Sequence, residues 1–276
     1  LIVRGVAVAA PARRLQGEIA GARWTALVPE NWNGRLLLEA PDRRNAPAPL
    51  VATLDETTPD NATLLDSGWA LATTSYRRTG PILIDAIEDL RALREHLATE
   101  IGVPQMTIIA GDGMGGLIAA LMAERHSDEF HAFLARDPQL TLRDPRALRL
   151  RCDGQPRGPL LFLFGSSTAR GVIDYRDRAR SAANAESFVP VLWFQPDPDA
   201  KDAEAKPASL PEALAAMVAW TQTQSAPPDR LENLPALEDL QPAVEESKES
   251  PPPVEAPPVP DEPPPTVPVD EAATAR

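Results

Sequence analysis

The residues best placed to do chemistry sit in one glycine-rich turn, Gly111-Asp112-Gly113-Met114-Gly115-Gly116. The turn follows the apolar run Met106 to Ala110 and leads into a helical pattern from Leu117 to Arg125. A sharp turn from strand to helix can lift a nucleophile above a sheet or cradle an anion with backbone N–H groups. Gly113 has no side chain to offer, and the turn lacks the Lys-Ser/Thr of a phosphate-binding loop, while Asp112 would repel an anion. The other reactive side chains are sparse: three histidines (His96, His126, His131) and one cysteine, Cys152. A single cysteine excludes an internal disulfide and any Cys-x-x-Cys redox or metal motif. No spacing of His and carboxylates suits a metal ion, so neither a metal nor a cofactor is expected.

The surrounding pattern supplies a scaffold for that turn. Arg14 to Pro29 suits paired strands, and the Asn33-Gly34 step favours a tight hairpin turn before the strand Arg35 to Ala40. Further strands are expected at Trp69 to Ser75, His131 to Ala135, Pro159 to Phe164 and Phe188 to Phe194. Apolar residues at threefold and fourfold spacing predict a helix over Asp85 to Ile101, with others at Tyr175 to Ala183 and Pro211 to Thr223. Strands alternating with helices argue for an α/β fold: a mostly parallel sheet of about eight strands covered on both faces, with an antiparallel start.

A second regime begins near Ala226. Fourteen of the 31 prolines lie beyond it, with about nine units of the net charge of −13. We therefore expect a folded domain over residues 1–225 and a disordered, acidic, proline-rich tail over 226–276 that favours extended polyproline conformations. The body is mildly acidic, which argues against nucleic acid as a partner. No apolar run reaches the ~18 residues of a membrane span. The chain does not begin with Met, which leaves room for a removed signal peptide and a periplasmic or secreted location; compartment is otherwise unspecified.

Several segments in combination resemble bacterial α/β-hydrolases of the serine esterase and peptidase superfamily. They are Leu27-Val28-Pro29-Glu30-Asn31-Trp32-Asn33-Gly34-Arg35-Leu36-Leu37-Leu38, Ala72-Thr73-Thr74-Ser75-Tyr76-Arg77-Arg78, Asp85-Ala86-Ile87-Glu88-Asp89-Leu90, Gly115-Gly116-Leu117-Ile118-Ala119-Ala120 and Ala123-Glu124-Arg125-His126. The likeness runs from about Arg14 to Ser225. It implies a nucleophile elbow G-x-S-x-G at Gly111 to Gly115, where Gly113 takes the serine's place. It implies a catalytic acid in a G-x-x-D step after the seventh strand, where this chain has Thr168, with Asp174 and Asp177 as nearby alternatives. The base is implied in the loop Gln195 to Ala200, yet no histidine follows His131. One oxyanion donor, the N–H of Met114, is retained. The other is implied in a His-Gly pair that reads Pro41-Asp42 here. Asp112 as an alternative nucleophile stands one residue early in this register and would still need a histidine. The connection Asp137 to Gly158 is short and Arg-rich where relatives commonly insert a lid.

The expectation is a pseudoenzyme. Its elbow would be vestigial (Gly111, Asp112, Gly113, Met114, Gly115), its domain a binding, scaffold or assembly subunit, and residues 226–276 a tether or docking segment for a protein partner. The alternative is a residual serine-type hydrolase with an unconventional site.

Overall fold

The structure, a computed structural model, describes residues 12–183, 188–196 and 207–235. Among these residues eight strands are formed: β1 (Arg13–Ile19), β2 (Ala22–Val28), β3 (Arg35–Ala40), β4 (Trp69–Thr74), β5 (Met106–Asp112), β6 (Ala132–Arg136), β7 (Leu160–Phe164) and β8 (Val191–Phe194). Five helices accompany them: α1 (Pro59–Asp66), α2 (Leu83–Glu100), α3 (Met114–Arg125), α4 (Ser166–Ala182) and α5 (Leu210–Thr223). All eight strands join one sheet in the order β1-β2-β4-β3-β5-β6-β7-β8. The pairs β1–β2 and β2–β4 are antiparallel, and every pair from β4 through β3 to β8 is parallel.

The near-continuous apolar strands follow from this burial on both faces. In β3, Leu36 and Leu38 point into the layer that holds α2, α3 and α4, whereas Leu37 points into the layer that holds α1 and α5. In β5, Ile109 joins the first layer and Ile108 and Ala110 the second. The side-chain alternation of a strand thus feeds two cores from one apolar run. Helix α3 is buried from Met114 to Glu124, so its sequence lacks the polar stripe of a surface helix.

Four features differ from expectation. Gly34 has the positive φ (81°) that its Asn-Gly context suggests, but it joins β2 to β3, which are not neighbours in the sheet. The hairpin lies between β1 and β2, where Ala20 (φ 49°) and Gly21 (φ 86°) form the turn. Helix α4 begins at Ser166, nine residues before the predicted start at Tyr175, because no local residue caps it and the capping carboxylate comes from another loop. Helix α1 lacks a readable apolar period, as its eight residues bury only Asn61, Leu64 and Leu65. Helix α3 also starts earlier, at Met114, so the glycine pair Gly115-Gly116 is helical.

The assigned tail does not begin at one sharp point. Residues 226–235 lie among the described residues, and Arg230 forms a parallel bridge with Trp193 of β8. Residues 236–276 lie outside the described residues, so the expectation of disorder there concerns sequence alone.

Candidate functional site

The parallel strands β3, β5, β6 and β7 end along one edge, and the loops there meet at the β5–α3 turn. Gly113 forms the turn with φ 55° and ψ −115°, a conformation that side-chain-bearing residues rarely adopt. Its N–H donates to the Arg136 carbonyl at 3.1 Å, and its own carbonyl accepts from the N–H groups of Leu117 and Gln139. Strand and helix approach so closely that a Cβ on Gly115 would stand 1.9 Å from the Ala40 carbonyl oxygen. A Cβ on Gly111 would stand 2.4 Å from the Gly115 carbonyl carbon. These two glycines are steric requirements of the turn.

Gly113 differs from them, because what crowds it is a side chain. A Cβ there would lie 2.5 Å from Oδ1 of Asp42, the residue two beyond the end of β3. The same oxygen accepts the N–H of Met114 at 2.7 Å and the N–H of Arg43 at 2.7 Å. A carboxylate of the chain itself therefore sits at the N-terminus of α3, where the helix dipole and unpaired amides favour an anion. Asp42 is held there from behind: the buried Tyr76 donates its hydroxyl to the Pro41 carbonyl at 3.0 Å. Burial pushes the Tyr76 phenol well above its ordinary range, so it stays a neutral donor.

The β7–α4 turn repeats the arrangement. Asp137, the first residue after β6, has φ 37° and turns its Oδ1 toward Gly165, whose N–H it accepts at 2.7 Å. The hydroxyl of Thr168 donates to the same oxygen at 2.9 Å. Thr168 is thus a donor to a carboxylate, in the first turn of α4, and not a free group. Between the two turns, Asp112 pairs with Arg136 at 2.6 Å (Oδ2 to Nη2), its side chain more than half exposed. Glu39, Arg44, Thr73 and Thr74 join Asp112 and Arg136 around a small pocket of about 140 Å³. Burial at the strand end raises the Glu39 carboxyl above its usual range, with Arg136 opposing the shift.

Solved structures share this arrangement of strands and helices. A protein assigned as a dienelactone hydrolase from Klebsiella pneumoniae superposes with a TM-score of 0.56 at 14% identity, over 77% of this chain and 99% of its own. One assigned as a dipeptidyl aminopeptidase IV from Bacteroides ovatus gives 0.54 at 13%, over 78% of this chain, which spans only 36% of that peptidase. An esterase from Pyrococcus furiosus gives 0.51 at 13%, over 77% and 90% of the two chains. The chain has the α/β-hydrolase fold. No protein-family model and no curated protein sequence matches it.

Within the α/β-hydrolase fold the remaining question is where an imidazole stands. His131 precedes β6 and its Nδ1 accepts the Thr107 N–H at 3.1 Å, near the start of β5. That is the opposite end of a strand roughly 20 Å long. His126 caps the C-terminus of α3 and contacts Glu129 at 3.2 Å, about 18 Å along the helix from the elbow. His96 packs edge-on against Trp24 of β2, with ring centroids 5.0 Å apart, and β4 and β3 separate that strand from β5. All three histidines are therefore engaged away from Gly113. Residues 197–200 of the loop expected to carry the base lie outside the described residues, and their sequence, Asp-Pro-Asp-Ala, contains no histidine.

Asp174 and Asp177 fall inside α4 and line an open surface depression with Asp153 and Arg178, so neither stands at the turn. Among the described residues no group of three His, Cys, Asp or Glu could hold a metal ion. No described helix is long and apolar enough to cross a membrane. Cys152 packs against the core, and burial raises its thiol well above the ordinary range, which makes it a poor nucleophile. The sequence identified Asp42 only as a substitution; its contact with Met114 joins residues 72 apart. The part played by Asp137 had no sequence signal.

Proposed function

We propose that this chain is a non-catalytic α/β-hydrolase-fold protein that acts as a binding, scaffold or assembly subunit, with its acidic proline-rich segment as tether or docking element. The observation that carries the reading is the Asp42 carboxylate on the Met114 N–H, filling the space over a side-chain-less Gly113. An acyl-transfer transition state would have to place an oxyanion where a carboxylate already sits. Loss of one oxyanion donor alone removes roughly 10²–10³ in turnover. Loss of a positioned base removes about 10²–10⁴ more. Thr168 hydrogen-bonded to Asp137, and histidines engaged elsewhere, support the same conclusion.

A rigid body with a proline-rich extension suits docking, because extended proline-rich segments lose little further entropy on binding. Residues 228–230 pair with β8, so the part that serves as tether is drawn from the residues that follow them.

The competing reading, a residual hydrolase with an unconventional site, is motivated by the hydrolase names of the structural neighbours. A panel of aryl acetates and butyrates separates the two. The expected rate equals that of a heat-treated control across the panel. Saturable turnover that heat treatment abolishes would replace the binding reading with the catalytic one.

A further inference from the structure

Among the described residues strand β8 ends the sheet, and a terminal strand offers a row of backbone groups for another chain to pair with. Here residues 228–230 take that row. The Arg230 N–H donates to the Leu192 carbonyl at 2.8 Å, and the Phe194 N–H donates to the Arg230 carbonyl at 2.7 Å. The Leu192 N–H donates to Asp229 Oδ1 at 2.8 Å, and the Trp193 indole N–H to the Pro228 carbonyl at 3.0 Å.

The receiving surface is built for charge in a fixed order. Arg176 of α4 is only 11% exposed and reaches Asp229 Oδ2 at 3.0 Å, while its other carboxylate contact, the exposed Asp177, is 4.0 Å away. Without Asp229, a nearly buried guanidinium and the Leu192 N–H would both lose their carboxylate. One residue on, the Arg230 guanidinium lies over the Trp193 ring, 3.8 Å from its centroid, and its Nη1 pairs with Glu212 Oε1 of α5 at 2.6 Å. The docked segment, Pro227-Pro228-Asp229-Arg230, has no strand-forming alternation of its own. Its placement is dictated by the surface it meets.

We propose that the outer edge of β8 is a strand-docking site that reads an extended Asp-Arg step. Residues 228–230 occupy it in cis, and a protein segment of the same chemistry binds by displacing them. Backbone pairing supplies affinity, and the Arg176 and Trp193–Glu212 positions supply specificity. The site stands independently of the elbow, since an active hydrolase could carry it equally well.

The test uses the full chain with Asp229→Ala and Arg230→Ala together, and a fluorescent peptide spanning residues 226–235. The peptide binds this variant at least about tenfold more tightly than it binds the native chain, and a peptide carrying both alanines binds neither. Hydrogen exchange at the Leu192 and Phe194 amides rises in the variant and falls again on adding peptide. Equal binding to variant and native chain, no binding to either, or unchanged exchange at these amides overturns the proposal. A variant that dimerises through the bare strand supports it if the peptide dissolves the dimer, and overturns it if the peptide does not. Should the double variant not fold, Arg230→Ala alone keeps Asp229 in place and preserves the order of affinities at lower contrast. Identical peptide binding by that variant and the native chain again overturns the proposal.

Discussion

Helices α3 and α4 begin at the edge where the fold can carry chemistry, and they are capped differently from α1 and α5. Thr58 and Ser209 cap α1 and α5 from within, each hydroxyl accepting an N–H three residues on at 3.4 Å, with a proline in the first turn; α5 adds a distant carboxylate, Asp60, which accepts the Leu210 N–H at 3.3 Å. Neither α3 nor α4 has a side-chain cap of its own. Each takes a carboxylate from a loop distant in sequence, Asp42 for α3 and Asp137 for α4. The difference shows where two carboxylates of this edge, Asp42 and Asp137, are spent: they satisfy helix ends and stitch loops together.

The contrast is broken most severely at the glycines. Gly115→Ala pushes a Cβ into the Ala40 backbone, which cannot withdraw, so we expect a loss of about 3 kcal/mol or more, read as a large fall in Tm or as insoluble protein. Gly113→Ser meets first the end of the Asp42 side chain, which can rotate away, and costs about 1–3 kcal/mol from backbone strain and the displaced cap. It gains no esterase activity, because no imidazole stands near. Combining it with Asp42→Ala costs less than the two single losses added together, since the clash disappears with the carboxylate. Strict additivity in that double-mutant cycle would mean the two residues do not touch.

The caps themselves come next in size. Asp42→Ala removes both hydrogen bonds and the charge at the start of α3, and we expect about 1–2 kcal/mol in chemical denaturation. Asp42→Asn keeps an acceptor and loses roughly half as much. Ser209→Ala removes a neutral local cap of α5 and costs about 1 kcal/mol. A larger loss for Ser209→Ala than for Asp42→Ala would erase the distinction between the two kinds of helix start.

The smallest effect concerns pH. Glu39 has its carboxyl raised by burial, so just above its ordinary value the folded chain holds more protons than the unfolded one. Stability contributed by this group is therefore present at acid pH and declines as pH rises through the shifted value. Glu39→Gln removes that decline, and its Tm relative to the native chain improves from pH 4 toward pH 7. An unchanged difference across that range would mean that Glu39 titrates as an exposed carboxylate.

What could be read in the residues, and what could not, divides along the same line. Apolar runs such as Leu36 to Leu38 and Ile108 to Ala110 declared buried parallel strands, and the glycines at 111 and 115 declared a close approach of strand and helix. Both are local facts of steric demand and periodicity. The start of α4 stayed hidden because its cap, Asp137, is 28 residues away and carries no motif. The Asn33-Gly34 step misled because its left-handed glycine is real while the strands it joins have β4 between them. Residues 228–230 read as tail because their partners, Leu192 and Trp193, lie 35 or more positions upstream. Single-sequence patterns report what a residue demands of its neighbours in the chain, and these contacts are demands on neighbours in space.

Intact-mass spectrometry of the full chain after exposure to an excess of a fluorophosphonate, with a serine esterase as positive control, puts the account at greatest risk. The closed, hydroxyl-free turn at Gly113 predicts an unchanged mass while the control is fully labelled. A single stoichiometric adduct, abolished by prior heating, would reveal an activated nucleophile and contradict the assignment of Asp42 and Asp137 to purely architectural work.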